Sequence, residues 1–185
     1  DANGDGKLDL VTSDFRLLPT RLITCADPVL PCEMVGISQE STEAVKWGIA
    51  LADFDQDGDL DIFTTGGEVD VPAGYAGDRH QLHWNDGTGV FALYDAADSG
   101  DPLAEKHLGR GAAFADVDGD LDLDVVIASV DGQAQVLLNQ SAGGHALVIE
   151  LDTLSAGARV TVATGGTART QQALIGGSYA GSSDP

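Results

Sequence analysis

Three nine-residue stretches concentrate the carboxylates of this chain: Asp1-Ala-Asn3-Gly-Asp5-Gly6-Lys7-Leu-Asp9, Asp53-Phe-Asp55-Gln-Asp57-Gly58-Asp59-Leu-Asp61 and Asp116-Val-Asp118-Gly-Asp120-Leu121-Asp122-Leu-Asp124. They hold 13 of its 24 aspartates in one shared register. So many like charges a few ångströms apart repel one another and raise their own pKa values unless a cation sits among them. A hard ion such as Ca2+ takes six to eight oxygen ligands, which a loop supplies from side chains at positions 1, 3 and 5 and the backbone carbonyl at 7. Asp1, Asn3 and Asp5 would serve one ion, Asp53, Asp55 and Asp57 a second, and Asp116, Asp118 and Asp120 a third. Lys7, Asp59 and Asp122 stand at the carbonyl position, and Asp9, Asp61 and Asp124 would complete each cage.

An EF-hand ends its loop with a bidentate Glu at position 12, where this chain has Thr12, Thr64 and Ile127. The flanks are short β-branched or aromatic runs (Leu10-Val11, Ile62-Phe63, Val125-Val126-Ile127), with Gly48–Leu51 and Gly111–Phe114 ahead of the second and third loops. Each loop therefore joins two strands. Position 6 needs the sharp turn that glycine allows; Gly6 and Gly58 comply, and Leu121 does not. The third site is expected to be weaker or differently turned, with Gly119 absorbing the strain.

Loops starting at 1, 53 and 116 leave room for about four short strands per repeat, the size of one propeller blade. After the second loop the pattern predicts strands at Asp61–Thr65, His80–Trp84 and Val90–Tyr94, with turns at Gly66-Gly67 and Asn85–Gly89. The third repeat predicts strands at Val125–Ser129 and Gln135–Leu138, separated by a turn at Asp131-Gly132. No amphipathic helix stands out. The fold class is all-β: four-stranded antiparallel blades with calcium loops, an incomplete ring, and a short β-rich module behind it.

The order Gly48-x-Ala50-x-Ala52-Asp53-x-Asp55-x-Asp57-Gly58-x-x-Asp61, followed by Trp84-Asn85-Asp86-Gly87-x-Gly89-x-Phe91, resembles the FG-GAP/VCBS repeat of integrin-α-type β-propellers. It recurs from Arg110 to Asp116, and the first repeat keeps only its calcium loop. The resemblance covers residues 1–141 and implies calcium in loops at the blade edges. Residues 142–185, with Gly143–Leu151, Gly157–Val162 and Gly176–Tyr179, resemble part of the ASPIC/UnbV module that follows such repeats in secreted acidic proteins of the cartilage acidic protein type. That resemblance implies no reaction. Three repeats cannot close a ring of four to eight blades, so the remaining blades are expected from the rest of the protein or from other chains. Asp1 lies inside a motif with no apolar leader before it, and the chain reads as a fragment.

Composition narrows the partners. The 185 residues are 43% hydrophobic despite a net charge of −21, which argues for a packed core. Nine basic residues against 30 acidic ones argue against nucleic acid, and no run is long enough to span a membrane. Cys25 and Cys32 flank a turn-forming stretch and could close a small disulfide loop, at home in an oxidising compartment; the alternative is two unpaired small hydrophobes.

Other candidate chemistry reads as ordinary structure. His80 and His83, three apart on a strand, point to opposite faces, and Ser178 lacks the Gly-x-Ser-x-Gly setting of a nucleophile. Gly143-Gly144 and Gly165-Gly166 read as hairpin turns, and Asn139-Gln-Ser141 fits either an N-glycosylation acceptor or a turn. Trp47, Trp84, Tyr75 and Tyr94 serve as blade packing or as a sugar-stacking surface. The leading expectation is a non-catalytic, extracellular or periplasmic calcium-binding propeller segment for adhesion to a protein or glycan. The alternatives are part of a polysaccharide-active enzyme, or a structural subunit of a surface layer or filament.

Overall fold

The computed structural model describes residues 1–15, 18–25, 32–37, 45–71, 73–96, 100–130, 132–141, 144–149 and 157–173. Among them it is all-β, built from small antiparallel sheets, with one 3-10 turn at Pro102–Ala104. The first sheet contains β1 (Leu10–Thr12), β2 (Arg21–Cys25) and β3 (Cys32–Gly36). The second runs β4 (Lys46–Ala52), β5 (Asp61–Gly66), β7 (Gln81–Asn85) and β8 (Phe91–Leu93); β6 (Asp78–Arg79) instead pairs with β9 (Lys106–His107). The third sheet is β10 (Gly109–Ala115), β11 (Asp124–Ser129) and β12 (Gln135–Leu137), and β13 (Arg159–Thr164) and β14 (Thr167–Gln172) form a hairpin. No helix among the described residues is long and apolar enough to cross a membrane.

Strand periodicity sets the layering. Every residue of β5 is buried, because successive side chains face opposite sides and both sides are covered. Ile62 points into a cluster with Ala2, Leu22, Ile37 and Phe91 on the first-sheet side. Phe63 points into a cluster with Phe54, Phe114, Val125 and Ile127 on the third-sheet side. The rings of Phe54, Phe63 and Phe114 meet at centroid distances of 5.8 to 6.2 Å, and burying each contributes about 1.5–3 kcal/mol.

The same irregularity recurs where each loop-bearing hairpin begins: the pairing of β4 with β5 shifts between Lys46 and Ile49, and that of β10 with β11 between Gly109 and Ala112. Gly48 lies in the first shift, where its N–H donates to Thr65 Oγ1 at 2.7 Å. A Cβ there would stand 2.8 Å from the backbone nitrogen of Ala112, so glycine permits the close approach of the second and third sheets.

Several expectations change in detail. Gly66-Gly67 is no hairpin turn: β5 runs through Gly66, the N–H of Gly67 donates to Val45, and the chain detours through β6 before β7. The expected strand at Val90–Tyr94 contracts to Phe91–Leu93 because the Asp86 N–H closes the loop on the Val90 carbonyl. The third-repeat strands fall at Asp124–Ser129 and Gln135–Leu137. Gly165 and Gly166, with φ of 57° and 91°, do turn a hairpin between β13 and β14. Gly144 turns none, since residues 144–149 form no strand; Gly143, Asp131 and Ser178 lie outside the described residues. Cys25 and Cys32 sit opposite each other on β2 and β3 and are disulfide-bonded.

Candidate metal centres

All three acidic loops adopt one hydrogen-bond register. The position-1 carboxylate accepts from the N–H at position 6: Gly6 to Asp1 at 2.9 Å, Gly58 to Asp53 at 3.0 Å, Leu121 to Asp116 at 3.0 Å. The side chain at position 3 accepts from position 5, and that at position 5 from position 7. These contacts wrap each backbone around its own carboxylates. In the second loop one oxygen each from Asp53, Asp55 and Asp57 lies within 4.8 Å of the others, and Asp116, Asp118 and Asp120 gather likewise in the third.

Gathering them has an electrostatic cost. Burial pushes the Asp53 carboxyl up to about 6, and the charges of Asp57 and Asp55 add to the rise. Asp55 is raised by burial and by Asp57, and Asp118 by burial and by Asp120. Each triplet thus gathers three carboxylates at one place, the second partly buried and the third exposed, the chemistry a hard divalent ion relieves.

The first loop is built differently. Asn3 replaces a carboxylate, yet Oδ1 of Asp1 and Oδ1 of Asp9 are both buried with no hydrogen-bond donor. A buried carboxylate oxygen without a donor is costly, and a cation is one partner that offsets that cost.

In the second and third loops position 9 does not complete the cage expected of it but performs a different task. Asp61 accepts from the N–H of Phe54 at 3.0 Å and of Asn85 at 2.9 Å; Asp124 accepts from Val117 at 2.9 Å and Asn139 at 2.8 Å. Both aspartates are essentially inaccessible, and burial pushes Asp61 up to about 7. They fasten the loop to the end of a neighbouring strand, and neither joins its triplet. At position 7, the Asp59 side chain pairs with Arg169, that of Asp122 with Gln56, and Lys7 approaches Asp5 at 3.9 Å, so donation to an ion from this position falls to the carbonyl.

The turn at position 6 corrects one expectation. Leu121 takes a φ of 74°, beside 80° for Gly6 and 95° for Gly58, so the third loop is not differently turned. Gly119, at φ 84°, matches Gly4 at 74° and does not relieve its neighbour. A Cβ at Gly6 or Gly58 would meet nothing within 4 Å, so the preference for glycine is conformational, and leucine there costs about 1–2 kcal/mol.

Other residues are placed where spacing alone does not put them. The Asn85 amide donates to the Ala2 carbonyl at 2.7 Å, and that of Asn139 to the Phe54 carbonyl at 2.6 Å, each binding position 2 of the preceding loop. Asn recurs at the same place in both repeats, which is the signal that identifies them. With its amide engaged and Ser141 bonded to Asn139 Oδ1 at 2.8 Å, this Asn-x-Ser acts as a structural clamp. Arg169 Nε lies 3.1 Å from Asp59 and 3.3 Å from the Gly58 carbonyl, setting the β13–β14 hairpin on the second loop. His80 and His83 are buried, and His80 stacks on His107 with centroids 5.9 Å apart. Trp84 and Tyr94 meet edge to face at 6.0 Å, whereas Trp47 lies under Arg110 and Tyr75 bonds Asp78.

Compared with known proteins, the chain matches no family model and no curated protein.

Proposed function

We propose that the chain is a non-catalytic calcium-binding β-propeller segment of a secreted or periplasmic protein, in which divalent ions lock the loops at the sheet edges and the sheets present a binding surface. The observation that carries this reading is the single hydrogen-bond register of the three loops, which in the second and third gathers three carboxylate oxygens within 4.8 Å of one another. The donor set is all oxygen, with no thiolate or imidazole, which suits a hard ion; a flexible, carboxylate-rich loop favours Ca2+ over the stricter octahedron of Mg2+. Asp53, Asp55, Asp57 and the Asp59 carbonyl would hold one ion, Asp116, Asp118, Asp120 and the Asp122 carbonyl another, and Asp1, Asn3, Asp5, Asp9 and the Lys7 carbonyl the third. Bound there, the ion supplies charge neutralisation and no reaction.

The resemblance to FG-GAP/VCBS repeats supports blades, as does the packing of β4 on β1 and of β10 on β4 and β5, an equivalent contact between successive repeats. The Cys25–Cys32 bridge supports an oxidising compartment. Calorimetric titration with Ca2+ and Mg2+, paired with thermal unfolding with and without chelator, tests the reading. A flat titration together with an unchanged midpoint would overturn it.

A further inference from the structure

The second and third sheets carry equivalent asparagines but finish differently. In the second, the loop after Asn85 brings β8 back alongside β7, with Phe91 paired opposite Asn85. Phe91 is 4% exposed and fills the seam against the first sheet, among Ala2, Leu22 and Ile62. In the third, Asn139 makes the same two bonds as Asn85, to the position-9 aspartate and to the preceding loop. Yet among the described residues β12 is the edge of its sheet. The seam against the second sheet contains a cavity of about 380 Å3, lined by Asn139 itself, by Phe63, Leu82 and Trp84 of the second sheet, and by Leu137 and Leu138 of the third.

We propose that this cavity is a docking site for an extended segment of a partner protein, which lies along β12 as a fourth strand and places one aromatic side chain between the sheets. Phe91 is the internal template: the same repeat fills the equivalent seam with an aromatic residue on its outer strand. The walls are mainly apolar, which suits a ring, with Asp101, Asn139, Gln140 and Ser141 at the polar side, and an edge strand offers the backbone pairing on which added strands rely. Charge selects further. Asp101, hydrogen-bonded to Tyr94 at 2.8 Å, brings a carboxylate to the cavity on a chain of net charge −21, so the segment has basic residues beside its aromatic anchor. The inference deepens the reading of the chain as a binding module and does not depend on which ion fills the loops.

The test is calorimetric binding of the synthetic peptide KGVFALYK, which places residues 89–94 between lysines, to the 185-residue chain. Replacing its phenylalanine by alanine is expected to weaken binding roughly tenfold or more, as losing one buried ring requires, and replacing both lysines by glutamate weakens it as well. Leu138→Asp, at a half-exposed position, is expected to abolish binding without moving the thermal midpoint. Equal affinity for the alanine peptide, unchanged affinity in Leu138→Asp, or binding of maltohexaose in place of the peptide would each overturn the proposal. So would a stable dimer of the chain by sedimentation that Leu138→Asp dissociates, since a second copy would then be the occupant. Loss of the peptide with calcium titration intact defeats this inference alone; a flat calcium titration with peptide binding intact defeats only the ion.

Discussion

The side-chain amide of Asn139 reaches across the seam between the third and second sheets and donates to the backbone carbonyl of Phe54, 2.6 Å away. Asn85 repeats the contact on Ala2, and its amide also donates to Leu60 at 2.9 Å. Each asparagine therefore joins a strand end, the aspartate closing its own loop, and the loop of the preceding repeat.

Asn85→Ala leaves two buried carbonyls without a donor, and the expected cost is about 1–3 kcal/mol. Asn139→Ala is expected to cost less, because Ser141 Oγ also donates to Phe54, at 3.1 Å. Urea unfolding of both variants checks the order, and equal midpoints would show the clamps to be idle.

Calcium is expected to stabilise the fold by mass action. With free ion at about a hundred times the dissociation constant, each site contributes about 2.7 kcal/mol, as far as the unfolded chain does not bind. Scanning calorimetry across a calcium series reads this as a midpoint that climbs with concentration and falls back when chelator is added.

Asp53→Asn should change sign with the ion. In calcium the variant loses a ligand, and the affinity of the second loop falls by about tenfold or more. In chelator the same change removes one buried charge from a crowded triplet and is expected to stabilise. A loss of stability of equal size in both conditions would mean that Asp53 serves only its backbone bonds.

The pH dependence follows from the raised carboxyls. Asp53 and Asp61 bind protons up to about 6 and 7 in the folded chain, against 3.8 ordinarily. Between those limits the folded state holds more protons, so its stability falls as pH rises. The ion-free protein is expected to be more stable at pH 5 than at pH 8, and calcium should reverse the order because protons compete for its ligands. Denaturant midpoints at the two pH values, with and without chelator, decide it.

Leu121 holds a backbone conformation that disfavours a branched side chain. Leu121→Gly is expected to tighten calcium at the third loop and leave the second unchanged. Titration calorimetry of the variant would show one site moving; no movement would mean that the strain is already relieved by the surrounding hydrogen bonds.

The loops were legible because their acidic positions lie within nine residues, and local spacing fixes what those residues meet. The strands beside them were legible for the same reason, through alternation and the hairpin at Asn85–Gly89. Contacts across the stack were not. Arg169 meets Asp59 from 110 positions away, and Asn139 meets Phe54 from 85, so neither local period nor spacing connects them. Leu121 shows the opposite limit. Its preference argued for a different turn, and the bonds from Asp116 to the backbone of Gly119, Asp120 and Leu121 hold the shared one. Spacing left Trp84 and Tyr94 open between blade packing and a stacking surface, and the pairing of β7 with β8 brings the two rings together in one wall.

Phe54 is the second residue of an acidic loop and also a ring at the centre of the cluster between two sheets. The loop therefore cannot open without withdrawing that ring from its neighbours, and hydrophobic cluster and acidic loop should yield as one cooperative unit, with amide protons of Gly58 and Phe114 exchanging at matching rates and slowing together when the ion is supplied.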